Sequence, residues 1–106
     1  MITIDQLKEI EIKIGTIKEC VPVEGSVKLF KLAVDFGDEN RQILTGIHEW
    51  YEPSDLIGKQ CPFVTNLEPR LIMGLESQGM ILATDDGGGT VLLNPNREIP
   101  AGANVI

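Results

Sequence analysis

Ile10, Ile12 and Ile14 alternate with Glu11 and Lys13, and Phe30, Leu32 and Val34 alternate in the same way with Lys31, Ala33 and Asp35. A period of two buries one face of a β-strand and leaves the other wet, whereas an amphipathic helix needs a period near 3.6. Glycine, proline and polar turn residues cut these runs short, so the chain is restricted to many short strands joined by tight connections. With 106 residues there is room for one core, and residues 1–106 read as a single domain. The hydrophobic fraction of 42% against 24% charged residues is that of a chain that folds.

The elements follow in order. Thr3 and Gln6 have the capping-box spacing, which predicts a short helical turn through about Lys8. A strand from Ile10 continues through Ile17 with a bend or bulge expected at Gly15. Pro22 to Ser26 reads as a loop, Leu29 to Asp35 as the second strand, and Gly37 to Asn40 as a hairpin turn into a third strand over Arg41 to Thr45. His48 to Leu56, interrupted by Pro53, suits one or two helical turns. Gln60 to Thr65 is the fourth strand, Ser77 to Thr84 the fifth, and Asp85 to Gly89 turns the chain into Thr90 to Leu93. Helical turns between strands three and four make a five-stranded oligonucleotide-binding (OB) barrel, with a short N-terminal helix and extra C-terminal strands, the natural candidate, although the pattern alone leaves an SH3-like barrel open. Phe30 and Phe63 are assigned to its core.

Enzyme chemistry finds little support. The single histidine, His48, has no marked nucleophile elbow near it, and Gly87 to Gly89 lacks the Lys-Ser/Thr of a phosphate-cradling loop. Cys20 and Cys61 form no Cys-x-x-Cys pair and are expected to be buried, reduced thiols. Asp85 and Asp86 lack the ligand spacing of a calcium loop, so no metal and no cofactor is expected. No apolar run approaches the roughly 18 residues of a membrane span, and the N-terminus is charged where a signal peptide is apolar, so a cytoplasmic chain with no membrane partner is expected.

The net charge of −7 argues against nonspecific coating of nucleic acid, which draws on cations meeting phosphates. Residues 1–34 are balanced, residues 35–68 carry −5 and the remainder −2. An anion-binding face would therefore be local, built from the early lysines with Arg41 and Arg70.

Two segments carry a resemblance. Asn66-Leu67-Glu68-Pro69-Arg70 and Glu76-Ser77-Gln78-Gly79-Met80, with Arg41-Gln42-Ile43-Leu44-Thr45-Gly46 upstream, resemble the tRNA-binding domain family. That family includes the C-terminal appendix of methionyl-tRNA synthetases, free-standing structure-specific tRNA-binding proteins and the endothelial monocyte-activating polypeptide domain. The resemblance implies a noncatalytic homodimer that binds tRNA by shape, alone or with a methionyl-tRNA synthetase. Mapped residue by residue, it implies a tRNA face using Lys13, Lys28, Arg41, Asn66, Arg70, Ser77 and Met80. A planar guanidinium suits a phosphate or base edge, and a hydroxyl, an open backbone and a soft thioether suit an unstacked base. The dimer contact is expected at Leu92, Leu93, Ile99, Val105 and Ile106. Two departures weaken the match: the loop Glu24 to Leu29 keeps only its Lys28-Leu29 end, and Leu71 stands where a basic residue often follows the Pro-Arg pair; with fewer cations and a net charge of −7, weaker and more salt-sensitive binding is expected. The alternative is a peptide-binding, secretion-chaperone-like dimer of the same fold.

Overall fold

A computed structural model describes residues 1–106. The first helix, α1 (Ile4–Leu7), is a single turn closed by the capping box: the Gln6 amide donates to Thr3 Oγ1 at 3.2 Å and the Thr3 amide to Gln6 Oε1 at 2.8 Å. Strands β1 (Ile12–Pro22), β2 (Phe30–Asp35), β3 (Asn40–Thr45), β4 (Gln60–Val64) and β7 (Met80–Ile81) form one antiparallel sheet in the order β3-β2-β1-β4-β7. Between them lie helix α2 (Pro53–Leu56) and the hairpin of β5 (Arg70–Ile72) and β6 (Leu75–Ser77); β8 (Ala83–Asp85) and β9 (Thr90–Leu92) form a second hairpin. The sheet nearly closes on itself where the Gln78 amide donates to Gln42 O at 2.8 Å and the Gln42 amide returns to Gln78 Oε1 at 3.0 Å. This is the mostly-β, OB-like barrel that the strand pattern predicts.

Several elements depart from the sequence reading. The first strand starts at Ile12 rather than Ile10 and runs on to Pro22, and the stretch around Pro69 and Gly74, read as a loop, folds into the β5–β6 hairpin. The irregularity in β1 lies between Ile17 and Glu19, not at Gly15. Gly15 is required for a different reason: a Cβ there would sit 2.4 Å from Val34 Cγ1 and 2.8 Å from the Phe36 ring. The expected helical stretch from His48 shrinks to Pro53–Leu56, whose buried Leu56 anchors one turn capped by Asp55, which accepts from the Glu52 amide at 2.8 Å. The expected strand over Ser77 to Thr84 is broken, because at Gln78 the backbone turns to Gln42 while Met80 and Ile81 pair with β4. Gly79 makes that switch at φ +152, where a Cβ would stand 3.0 Å from Val64 O.

The core follows the alternation. Phe30, Leu32 and Val34 from β2 meet Ile17 and Cys20 from β1, Ile43 from β3, and Cys61 and Phe63 from β4. Phe36 and Phe63 pack edge to face with centroids 5.5 Å apart. Both cysteines are buried free thiols. No helix is long and apolar enough to cross a membrane.

The C-terminal segment completes the sheet. Gly102 donates to Ile14 O at 2.7 Å, Ala103 accepts from the Ile14 amide, and Val105 donates to Ile12 O at 2.9 Å, so the tail lies along the first half of β1. Gly102, at φ +89, passes so close to Phe36 O that a Cβ would lie 2.1 Å away. That contact fixes where the tail begins its run along β1 toward Ile12.

Candidate nucleic-acid interface

Lys13, Arg41 and Asn66 come together at one end of the barrel. Arg41 shares the inward parity of Ile43 on β3, and its guanidinium emerges at the barrel mouth, 5.8 Å from the centre of the Phe36 ring. There it donates to the carbonyls of Thr65 and Gln78 and, through Nε, to Glu39. The same ion pair holds the Glu39 carboxyl below the usual carboxylate range, first by the hydrogen bond from Arg41 and then by its charge, with Lys13 adding to the effect. Lys13 pairs with Glu11 at 3.8 Å, and Glu11 accepts from Thr65 Oγ1 at 2.6 Å. Polar contacts thus run from Lys13 through Glu11 and Thr65 to Arg41.

Asn66 serves this end as a clasp. Its Oδ1 accepts from the Glu11 amide at 2.8 Å and its Nδ2 donates to Glu9 O at 2.7 Å. The two bonds tie the loop after β4 to the chain leaving α1. Beside it lies a hollow of about 330 Å³ lined by Asn40, Arg41, Leu67, Pro69 and Gln78 among others. Arg70 follows Pro69 and opens the β5–β6 hairpin, exposed and outside any ion pair. The hairpin turns through Met73 (φ 51) and Gly74 (φ 78), a pairing of positive φ values that matches the right-handed twist of two joined strands.

Ser77 is placed differently from the others. It is 2% exposed, its hydroxyl accepting from the Leu44 amide at 3.1 Å and donating to Gly79 O at 3.0 Å. It bridges β6 to β3 and is a strut beneath the face rather than part of its surface. Met80 is exposed on β7, and Lys28 is exposed before β2, with its carbonyl accepting from the His48 amide. Lys28 lies at the Phe30–Thr45 end of β2 and β3, away from the Asp35–Asn40 end that holds Arg41.

Among the residues expected at a dimer contact, Val105 and Ile106 are exposed at the edge of β1. Leu92 packs partly against the core, and the half-buried Ile99 is held by its backbone to Gln60 at 3.1 Å and 2.7 Å, while Leu93 is exposed. These three lie toward the Gln60 end of β4. Sequence reasoning placed Ile10 on the buried face of the first strand and gave Ile2, Ile4 and Leu7 no role. All four are exposed, Ile4 at 65%, β1 begins only at Ile12, and α1 buries no residue at all. The return of the tail to Ile12 and Ile14 was not readable from their spacing. Leu67 and Gln78 fall inside the two segments that carry the resemblance but, like Asn40, were given no role in the site, and all three line the hollow.

Catalytic grouping is sparse. The His48 ring stacks against Phe30 with centroids 4.3 Å apart, and its Nδ1 is buried without a partner. Burial pushes the Cys20 thiol up to about 11 and the Cys61 thiol likewise to about 11, the latter in spite of an Asn94 hydrogen bond and the Lys59 charge. Such thiols are poor nucleophiles at neutral pH. No three His, Cys, Asp or Glu side chains group as metal ligands.

Residues 12–104 match a family model described as "Putative tRNA binding domain". The methionine–tRNA ligase of Methanothrix thermoacetophila is 47% identical over 105 residues, and that of Deinococcus radiodurans 42% over 106. Each match covers 99% of this chain and 16% of the relative, so the chain spans about a sixth of the length of these relatives. Among solved structures, a methionyl-tRNA synthetase related protein from Pyrococcus horikoshii superposes with a TM-score of 0.95 at 37% identity, over 100% of this chain and 98% of that one. The chaperone CsaA from Bacillus anthracis superposes with a TM-score of 0.92 at 31% identity, over 100% and 99% of the two chains.

Proposed function

Because this chain belongs to the tRNA-binding domain family, we propose that it is a noncatalytic tRNA-binding module, acting alone or as an accessory to methionyl-tRNA synthetase in the cytoplasm. The observation that carries this reading is the run of polar contacts from Lys13 through Glu11 and Thr65 to Arg41 at the barrel mouth, where Pro69, the chain neighbour of the unpaired Arg70, lines the hollow beside Arg41. Arg70 is the free phosphate ligand, Arg41 the anchored one, and Met80 supplies a soft apolar surface for an unstacked base. Asn66 and Ser77 act through the backbone they hold. Lys28, on the far side of the barrel, reaches only an RNA large enough to span it.

The module works as a homodimer that reads the shape of a folded RNA. Supporting this, Ile2, Ile4, Leu7 and Ile10 are exposed in the N-terminal segment, and Val105, exposed as well, lies beside Ile12 just after it; these are apolar groups that a second copy would cover. Two copies would present two barrel mouths to one tRNA, which offsets the few cations of each. Leu93 and Ile99 lie outside this patch and contribute to the contact only if it extends along the tail.

The test is Arg70→Ala. It should weaken tRNA binding and lower the salt slope by about one unit, the signature of one lost phosphate contact. An unchanged slope and affinity would remove Arg70 from the interface. A second reading, peptide binding, is favoured by the CsaA likeness and by the hairpin's exposed Leu71 (76%) and Met73; it predicts peptide capture that tRNA does not compete away.

A further inference from the structure

Two hollows adjoin on the opposite flank of the barrel, by α2 and the segment that follows β9. One, of about 390 Å³, is lined by Thr16, Lys59, Gln60, Asn94, Arg97 and Glu98 among others and has no hydrophobic lining residue. The other, of about 540 Å³, is lined by Trp50, Tyr51, Asp55 and Leu92, and it shares Lys59 and Asn94 with the first. Each volume is within the range of small-ligand clefts. The groove therefore passes from an aromatic end to a cationic end. Gln60 marks its place, four residues of β4 from Val64 at the other mouth, or roughly 13 Å at a strand rise near 3.3 Å.

Lys59, Arg97, Tyr51 and Trp50 bring free donors to it, beside the Glu98 and Asp55 carboxylates. Gln60 spends its amide on Thr16 Oγ1 and on both backbone groups of Ile99, and Asn94 spends its Nδ2 on Gln60 O at 2.8 Å. These amides build the walls. Lys59 and Arg97 are exposed and in no ion pair, although Asp55 and Glu98 also line the groove. Asp55 accepts from the Glu52 amide at 2.8 Å as a helix cap. Tyr51 accepts at its hydroxyl from the Leu92 amide, which leaves the hydroxyl proton without an acceptor in the protein. Trp50 is 41% exposed; its indole edge fits against Gly89, where a Cβ would lie 2.2 Å from Nε1, and that N–H has no protein acceptor. Residues 35–106 hold only four cations against eleven acids, and two of the four meet here.

We propose that this groove binds a phosphorylated nucleoside, its base against Trp50 and its phosphate between Lys59 and Arg97. An aromatic face beside two unpaired cations is the pairing that a nucleotide satisfies and that neither a nucleoside nor a bare phosphate satisfies alone. The nucleotide is either free or the exposed end of an RNA; the chemistry is the same for both. The site is separate from the Arg41 mouth and stands whether or not that mouth binds tRNA.

Trp50 is the only tryptophan in the chain, so its fluorescence reports the groove directly. The probes are adenosine monophosphate, adenosine, inorganic phosphate and a 5′-phosphorylated tetranucleotide, each titrated into the full chain. Adenosine monophosphate should quench Trp50 saturably at low millimolar concentration or tighter, and adenosine should bind about tenfold more weakly. Lys59→Ala with Arg97→Ala should weaken the nucleotide by about tenfold or more with the thermal midpoint unchanged, whereas Lys8→Ala on the far helix should have no effect. Tighter binding of the tetranucleotide identifies an RNA end as the occupant, and equal binding identifies a free nucleotide. Absence of saturable quenching by either phosphorylated probe, or quenching indifferent to the double substitution in a folded protein, would overturn the proposal.

Discussion

Ser77→Ala separates a strut from a contact. The Ser77 hydroxyl accepts from the Leu44 amide and donates to Gly79 O, and both Ser77 and Leu44 are buried. Alanine would leave the Leu44 N–H with no acceptor in a place water does not reach. An orphaned buried donor costs about 1–3 kcal/mol, and the second lost bond adds about 0.5–1.5 kcal/mol. The variant should therefore lose about 2–3 kcal/mol of stability, which for a domain this size lowers the thermal midpoint by roughly 10–15 °C. Thermal and urea unfolding measure the loss, with the exposed Ser54→Ala as a control expected within about 0.5 kcal/mol of the parent. Below the transition, where both forms are folded, tRNA affinity should change by less than about threefold. A midpoint held within about 2 °C together with a tenfold or greater loss of tRNA affinity would refute the reasoning and put Ser77 on the RNA-facing surface.

Three further outcomes are expected. Glu39→Gln frees Arg41 from its ion pair, so tRNA binding should strengthen, most at low salt; weaker binding would mean that Glu39 aims the guanidinium rather than competing for it. Cys20 and Cys61 keep their protons in the fold to about pH 11 but ionise near their ordinary value of 9 once unfolded, so their contribution to stability is complete below about pH 9 and falls as pH rises toward 11. At pH 8 neither should be alkylated in the native protein and both should react in urea, as mass spectrometry would register; fast native labelling would contradict their burial. Leu7→Glu places a charge in the apolar edge of α1 and should shift the mass seen by light scattering from dimer to monomer, and a parent protein that is already monomeric at micromolar concentration would remove the dimer from the account.

How much of this was legible in the sequence depended on the range of the interaction. β2 could be read at sight because Phe30, Leu32 and Val34 face one way and their neighbours the other, a rule that acts between adjacent residues. The capping box of α1 spans three residues and was equally plain. Gly15 was noticed for the wrong reason, since the Val34 and Phe36 atoms that forbid a Cβ come from another strand. Ser77 carried the motif but not its role, which depends on an amide 33 residues earlier. The inward parity of Arg41 could be counted from Ile43, yet its partners Thr65 and Gln78 lie 24 and 37 residues away and are set by barrel closure. The place of Val105 beside Ile12 is set by a tail that returns across nearly the whole chain, which no local pattern records. Side-chain type predicted which elements form, and closure of the sheet decided what each functional group touches.

Whether so acidic a chain holds folded tRNA through a small local cluster of cations is decided by titrating labelled unfractionated tRNA with the purified protein, following anisotropy at two salt concentrations with single-stranded DNA as competitor. Micromolar or tighter binding that weakens with salt and survives the competitor is expected. Absence of binding even at low salt, or binding that single-stranded DNA displaces completely, would contradict a tRNA-binding role.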